Sequence, residues 1–369
     1  MKITCSKANL LKGVNIVSKA VPTRTPMNIL ECIFMDASSN EIKLVANDME
    51  ICIQTVVDGY IEERGNIAID AKFLSDFVRN LPEDSDVTIT SNDKNVNFSC
   101  GSIDTNITGR NGDEFTYIPS YNRVNPVVIS QITLKDVIRQ TIFSISENDN
   151  NKMMGGELFE IENDNLRVTS LDGHRISIRN ISLKDSYESK KVIVPGKILN
   201  EVNKIVAGTT DDVDIYFSDN NIIFEFDNTV VVSRLIDGEY FKINQMLSSD
   251  YATKVNINKK ALIEAINRSS IFVNEKDKKP IILDITDDNI TLSISSSRVE
   301  GRYKEDISID KEGKNIKIGF NPKFLSDALR AIDEDEVSLY MLTPKSPCFI
   351  KDDDLSYIYM ILPVNFNNV

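Results

Sequence analysis

The stretch Asp70-Ala71-Lys72-Phe73-Leu74-Ser75-Asp76-Phe77-Val78-Arg79-Asn80-Leu81 decides the fold, because the chain writes it three times. It returns as Pro195-Gly196-Lys197-Ile198-Leu199-Asn200-Glu201-Val202-Asn203-Lys204-Ile205, and again as Asn321-Pro322-Lys323-Phe324-Leu325-Ser326-Asp327-Ala328-Leu329-Arg330-Ala331-Ile332. Each copy predicts one amphipathic helix. The apolar pairs Phe73/Leu74, Ile198/Leu199 and Phe324/Leu325 are followed one turn later by Phe77/Val78, Val202 and Ala328/Leu329, the period that places one apolar stripe against a core. Leu74 and Leu199 stand 125 residues apart, Leu199 and Leu325 126 apart, a spacing that repeats a domain and not a solenoid unit.

The flanks repeat as well. A short apolar strand precedes each helix (Ile67-Ala68-Ile69, Val192-Ile193-Val194, Ile316-Lys317-Ile318), and an acidic turn and alternating strand come after it, as in Asp333-Glu334-Asp335-Glu336 before Val337-Ser338-Leu339. A second helix recurs at the head of each repeat, with i,i+4 apolar pairs Leu10/Val14, Leu134/Ile138 and Leu262/Ile266. Two helices against many alternating strands predict an α+β domain, helices on one face of antiparallel sheets. The turn Ala46-Asn47-Asp48-Met49-Glu50 recurs as Ser170-Leu171-Asp172-Gly173-His174-Arg175, with a decayed third copy at Ser295-Ser296-Ser297-Arg298. Polar joints at 122–125 and 248–253 divide the chain into expected domains 1–123, 124–251 and 252–369.

A chain of 369 residues exceeds one ordinary core. Its five cysteines are odd in number, scattered and without any Cys-x-x-Cys pair, so they predict buried thiols of a reducing compartment and neither a disulfide framework nor a zinc site. Met1-Lys2-Ile3-Thr4 opens directly into strand-like sequence and no apolar run is long enough to span a bilayer, so a cytoplasmic protein without membrane attachment is expected. The net charge of −14 argues against a surface coated for nucleic acid, yet residues 1–30 carry five basic side chains and no acidic one.

The supply of catalytic groups is thin. His174 is the only histidine; Asp172-Gly173-His174-Arg175 sets a carboxylate, an imidazole and a guanidinium on one turn, and Asp352-Asp353-Asp354 offers carboxylates for a metal-dependent hydrolase or nuclease. A hydrogen-bonded turn or binding groove, and a solvated hairpin, account for the same residues. The repeated helices carry basic pairs seven residues apart, Lys72/Arg79, Lys197/Lys204 and Lys323/Arg330, each on one helix face. The first helices add cations such as Lys135 and Arg139. Asp76, Glu201 and Asp327 lie between the pairs and partly neutralise them, so ordinary solvated faces, or a protein scaffold that binds no nucleic acid, remain open on these residues alone.

Taken together the motifs resemble the β subunit of bacterial DNA polymerase III, the sliding clamp. The resemblance runs over the whole chain: Met1-Lys2-Ile3 with Leu10-Leu11-Lys12, Asn28-Ile29-Leu30 after Arg24, Asp172-Gly173-His174-Arg175, Asp237-Gly238-Glu239-Tyr240, Asn321-Pro322-Lys323-Phe324-Leu325, and Tyr359-Met360-Ile361-Leu362-Pro363-Val364. It implies three DNA-clamp domains per chain and a head-to-tail homodimeric six-domain ring around double-stranded DNA, a processivity factor with no catalysis and no cofactor. Arg24, Lys72, Arg79, Lys135, Arg139, Lys197, Lys204, Lys323 and Arg330 are then expected to face DNA without regard to sequence. Ile107 on one side and Ile271 and Phe272 on the other are expected at the dimer interface. The replicative polymerase, the clamp loader and repair proteins are the expected partners, through short peptides. Their pocket would be lined by Met154, Leu171, Gly173, His174, Arg175, Ile176, Phe241, Met246, Pro347, Met360, Leu362, Pro363 and Val364. Three residues depart from the family pattern: Leu171 replaces a small hydroxyl residue, Phe241 a proline and Asn365 an arginine.

Overall fold

A computed structural model of the chain describes residues 1–115, 121–146, 151–247, 250–272, 279–296 and 300–366. The third turn copy falls partly at 297–298 and the second joint partly at 248–249, outside the described residues. Six helices are present among those described: α1 (Lys7–Val17), α2 (Ala71–Arg79), α3 (Gln131–Thr141), α4 (Gly196–Ile205), α5 (Lys259–Ser270) and α6 (Pro322–Ala331).

The repeat survives at the level of single hydrogen bonds. Ser6, Ser130 and Asn258 cap α1, α3 and α5, their side-chain oxygens accepting from the backbone N–H of Asn9 (3.2 Å), Thr133 (3.2 Å) and Ala261 (3.0 Å). The first backbone N–H of each of these helices, at Lys7, Gln131 and Lys259, then donates to the carbonyl of Ser85, Asp211 or Asp335, in each case at 2.8 Å. The acidic turn after the second helix thus anchors the start of the first helix in all three repeats. Asp70 and Asn321, read from sequence as the opening of their helices, are caps outside them: Asp70 Oδ1 accepts from Phe73 N at 2.7 Å and Asn321 Oδ1 from Lys323 N at 3.0 Å. In the middle copy Gly196 opens α4, because a β carbon there would stand 2.4 Å from the Ile145 side chain.

Seven strands set the joints between repeats: β1 (Ile51–Val57), β2 (Ile103–Thr108), β3 (Gly156–Leu171), β4 (Arg175–Pro195), β5 (Thr229–Arg234), β6 (Gly301–Ser308) and β7 (Tyr357–Ile361). The chain divides into two compact units, Met1–Leu134 with Asn200–Leu235, and Lys135–Leu199 with Ile236–Val369. The first contains a five-stranded and an eight-stranded sheet, the second a seven-stranded and a four-stranded one. Two units arise from a threefold repeat because sheets continue across the joints. Within the first unit β1 pairs with β5, and within the second β4 pairs with β7, both antiparallel. The middle repeat lends strands to each. Its hairpin also differs from the short strands expected at 158–161 and 166–168: β3 is a single strand of 16 residues whose register against β4 shifts around Asn163.

All five cysteines are buried and free. The core of the second unit contains a buried carboxyl. Glu157 lies opposite Val194, the place held by Ile33 opposite Ile69 in the first repeat and by Ile281 opposite Phe320 in the third. It is 0% exposed, and burial pushes its carboxyl up to about 8, the Thr141 hydroxyl offsetting only part of that. A carboxyl raised in the folded state holds a proton that the unfolded chain releases from its ordinary value near 4.5 upward. Stability is therefore lost as pH rises from about 4.5 to about 8, by on the order of a few kcal/mol. Glu157→Gln should flatten the fall of the thermal midpoint between pH 5 and pH 8; an unchanged slope would show that this carboxyl does not titrate in the core.

Candidate functional site

The turn between β3 and β4 is built by one carboxylate. Asp172 Oδ1 accepts from the backbone N–H of His174 at 2.9 Å and of Arg175 at 3.2 Å. Gly173 takes φ +87° there. Asp48 does the same in the first repeat, accepting from Glu50 N at 2.9 Å and Ile51 N at 2.8 Å, with Met49 held at φ +76° in place of the glycine. Arg175 is 5% exposed and turned inward. Its Nε donates to Asp172 Oδ2 at 2.9 Å, Nη1 to Asp327 Oδ2 at 2.8 Å and Nη2 to the Phe143 carbonyl, while the guanidinium lies 4.5 Å from the Phe324 ring centre. Sequence reasoning gave Arg175 to a bound peptide. The structure spends its donors on the fold, because a buried guanidinium must satisfy its N–H groups where they lie.

Beside the turn, an apolar floor is formed by Leu171, Ile176, Ile178, Ile243, Tyr340, Phe349 and Met360. Met154, Tyr240, Leu247, Ile358 and Leu362 pack on it, partly buried. Strand pairing brings these distant residues together: Ile176 sits opposite Met360, Met360 opposite Phe349, and Tyr340 opposite Phe349. Leu362 N donates to the His174 carbonyl at 2.8 Å, which fixes the segment after β7 along the turn. Tyr240 donates to the Gly156 carbonyl at 3.3 Å, and burial raises its phenol well above the ordinary range. Phe241, edge-on to Tyr240 at 5.9 Å, and Met246 are exposed. Gly173 and His174 are also exposed, and Pro347, Pro363 and Val364 are half-buried.

Of the residues expected from sequence, Met154, Leu171, Ile176, Met360 and Leu362 thus share one cluster. Ile178, Ile243, Tyr340, Phe349 and Ile358 were missed. Their signal was the alternation of their strands, which marks a buried face without saying which strands become neighbours.

The first unit contains the counterpart of this floor in Cys52, Tyr216, Ile223, Val230 and Val232. Here the chain fills its own surface. Phe115 stacks on Phe34 at 5.2 Å, and Tyr121 packs on Tyr216 at 5.8 Å with its hydroxyl and the Arg123 side chain both on Glu225.

The cations of the helices divide into two groups. Lys7 is buried against Glu83, Lys259 donates to the Ile332 carbonyl at 2.8 Å, and Arg139 reaches Asp333 at 2.8 Å and the Ala331 carbonyl at 3.2 Å. These are structural ties. Arg24, Lys72, Arg79, Lys197, Lys204, Lys323 and Arg330 are exposed, and Lys135 is half-buried. Among the described residues no group of His, Cys, Asp or Glu could hold a metal, and no helix is long and apolar enough to cross a membrane.

Three family descriptions cover nearly the whole chain: DNA polymerase III beta subunit, N-terminal domain, at residues 1–119; central domain, at 128–242; and C-terminal domain, at 244–365. The chain is 32% identical to the beta sliding clamp of Staphylococcus epidermidis over 99% of both proteins. Among solved structures, a putative DNA polymerase III beta subunit from Eubacterium rectale is 64% identical, with a TM-score of 0.95 over 99% of this chain and 100% of that one. The DNA polymerase sliding clamp of Bacillus subtilis is 29% identical, with a TM-score of 0.95 over 99% of each.

Because the Arg175 fork serves three acceptors and two aromatic faces, a lysine cannot replace it. Arg175→Lys should destabilise the protein by about 2 kcal/mol or more, through acceptors left buried without donors. An unchanged denaturant midpoint would show that the fork is dispensable.

Proposed function

From the premise that the chain belongs to the DNA polymerase III beta-subunit family, we propose how its own residues close a ring, hold DNA and capture partners in the bacterial cytoplasm. The protein is a sliding clamp, the non-catalytic processivity subunit that encircles duplex DNA as a dimeric ring and tethers the replicative polymerase and other partners.

One observation carries the ring reading. At the first joint Ile53 of β1 faces Val231 of β5, and at the second Ser177 of β4 faces Tyr359 of β7. The third member of the first set is Tyr303 of β6, since Ile53, Ser177 and Tyr303 lie opposite Ala46, Ser170 and Ile294. The third member of the second set is Thr105 of β2, since Val231, Tyr359 and Thr105 lie opposite Phe224, Ile350 and Phe98. Both β6 and β2 end their sheets. Two copies joined head to tail satisfy both edges and make six domains.

Continuing the register, Tyr303 faces Thr105 of the partner subunit, which sets Lys304 against its Asp104 and Gly301 against its Ile107. Phe272 already lies against Tyr303 at 5.5 Å, and Ile271 is 75% exposed for a partner to cover. Domain limits of 1–123, 124–251 and 252–369 fit these joints. Asp104→Lys would put like charges together at both seams, at a cost of about 0.5 to 1 kcal/mol each. It should shift the ring, of about twice 41.5 kDa, toward monomer in sedimentation. Adding Lys304→Asp should restore it; equal dimerisation of all three proteins would exclude this register.

In this reading the exposed cations Arg24, Lys72, Arg79, Lys197, Lys204, Lys323 and Arg330, with Lys135, give weak, sequence-independent phosphate contacts, while Arg139 serves the joint. The apolar groove beside Gly173 and His174 takes a linear peptide with one or two apolar anchors, with Phe241 narrowing one wall and Leu171 adding apolar floor. Leu362→Ala should weaken a labelled peptide of the Gln-x-x-Leu-Phe type by roughly tenfold, about 1 to 2 kcal/mol, without opening the ring. Binding equal to wild type would move the site elsewhere.

A further inference from the structure

Each second helix carries an acid four residues after its first lysine: Asp76 after Lys72, Glu201 after Lys197 and Asp327 after Lys323. Asp76 and Glu201 pair along their own helices, with Arg79 at 3.8 Å and Lys204 at 2.8 Å. Asp327 behaves differently. Its single oxygen Oδ2 accepts from Lys323 Nζ at 3.0 Å and from Arg175 Nη1 at 2.8 Å. Arg175 in turn holds Asp172 Oδ2 at 2.9 Å, and Asp172 Oδ1 fixes the turn whose His174 carbonyl receives Leu362 N. An unbroken chain of charge-assisted contacts therefore runs from Lys323 to the edge of the groove.

The two cations on Asp327 are unequal. The Lys323 side chain is 69% exposed, that of Arg175 6%. Lysine is a mobile point charge that can exchange one anion for another at little cost, whereas the buried fork is held in place by Asp172 and the Phe143 carbonyl as well. Two donors on one oxygen also weaken each other, so removal of the outer one strengthens the inner. We infer that duplex DNA, by drawing Lys323 from Asp327 onto a phosphate, leaves Asp327 to Arg175 alone, immobilises the guanidinium on which the Asp172 turn is seated, and so raises the affinity of the groove for its peptide. Asp327 is then a positioning residue with two states, shared and unshared, which both ligands bias. This rests on the groove and DNA-facing assignments proposed above. Linkage requires the reverse effect as well, with bound peptide favouring DNA by the same factor.

The test titrates the labelled peptide against the intact protein at low salt, with and without a saturating linear duplex able to thread the ring. Wild type should bind the peptide about fivefold more tightly with DNA, a coupling at the small end of the usual range. Lys323→Ala should bind at the tighter value without DNA and gain nothing when DNA is added. Asp327→Asn should bind more weakly and not respond to DNA. A wild-type affinity indifferent to DNA, or a Lys323→Ala protein that still responds to it, would overturn the coupling. Leu362→Ala separates the two levels: if that variant binds as wild type does, the groove assignment fails. If it loses the peptide while Lys323→Ala keeps the DNA response, only the coupling fails.

Discussion

A strand at the end of a sheet leaves a row of backbone N–H and C=O groups unpaired, and this chain is organised by where it satisfies them. Two such rows are satisfied internally, β1 on β5 and β4 on β7, in the same register. That is why a threefold repeat divides into two compact units, the middle repeat contributing to each. The same rule leaves β6 and β2 at sheet ends with complementary residues, Lys304 on one and Asp104 on the other. Closure by a second copy is then the answer to an open edge.

The groove follows from the joint. Where β4 meets β7, the outer faces of two repeats adjoin, and Ile176, Met360 and Phe349 form a floor that neither repeat could make alone. A floor of the same ancestry exists in the first unit, where Phe115 and Tyr121 pack against it and Glu225 holds the Tyr121 hydroxyl and the Arg123 side chain. Asn47 also stands there at the place of Leu171, opposite Cys52 as Leu171 is opposite Ile176. Among the described residues, the difference between the two floors is thus a consequence of side chains and not of topology. Exposed apolar surface is costly unless covered; the chain covers one copy itself, and on the assignment proposed above the other is covered by a partner.

Much of this architecture was legible because it is written in local patterns. The apolar stripe of Phe73/Leu74 and its copies marked the helices, and the acidic turns marked the strands that come after them. The helix starts were displaced by one residue because a cap such as Asp70 or Asn321 shares composition with the helix while its backbone lies outside. Residues with a motif, such as Met360 and Leu362 after Tyr359, could be singled out and lie in the apolar cluster. Tyr340 and Phe349 could not be, since only the pairing of their strands brings them to the floor. Arg175 was legible as important and misread in role. Sequence shows a guanidinium on a turn, and only burial reveals that its donors point inward.

Charge shows the same limit of local reading. A net charge of −14 and a set of basic helices look contradictory until the cations are sorted by what they touch. Lys7, Lys259, Arg139 and Arg175 are consumed by acids and carbonyls within the fold. Of those left exposed on the helices, Arg79, Lys204 and Lys323 each have an acid nearby. Such sites attract phosphate weakly and release it readily. For a protein retained by encirclement this weakness is functional: strong contacts would add little to retention and would oppose every step along the duplex. On the DNA-facing assignment proposed above, the acids beside the lysines therefore belong to the sliding surface as much as the lysines do.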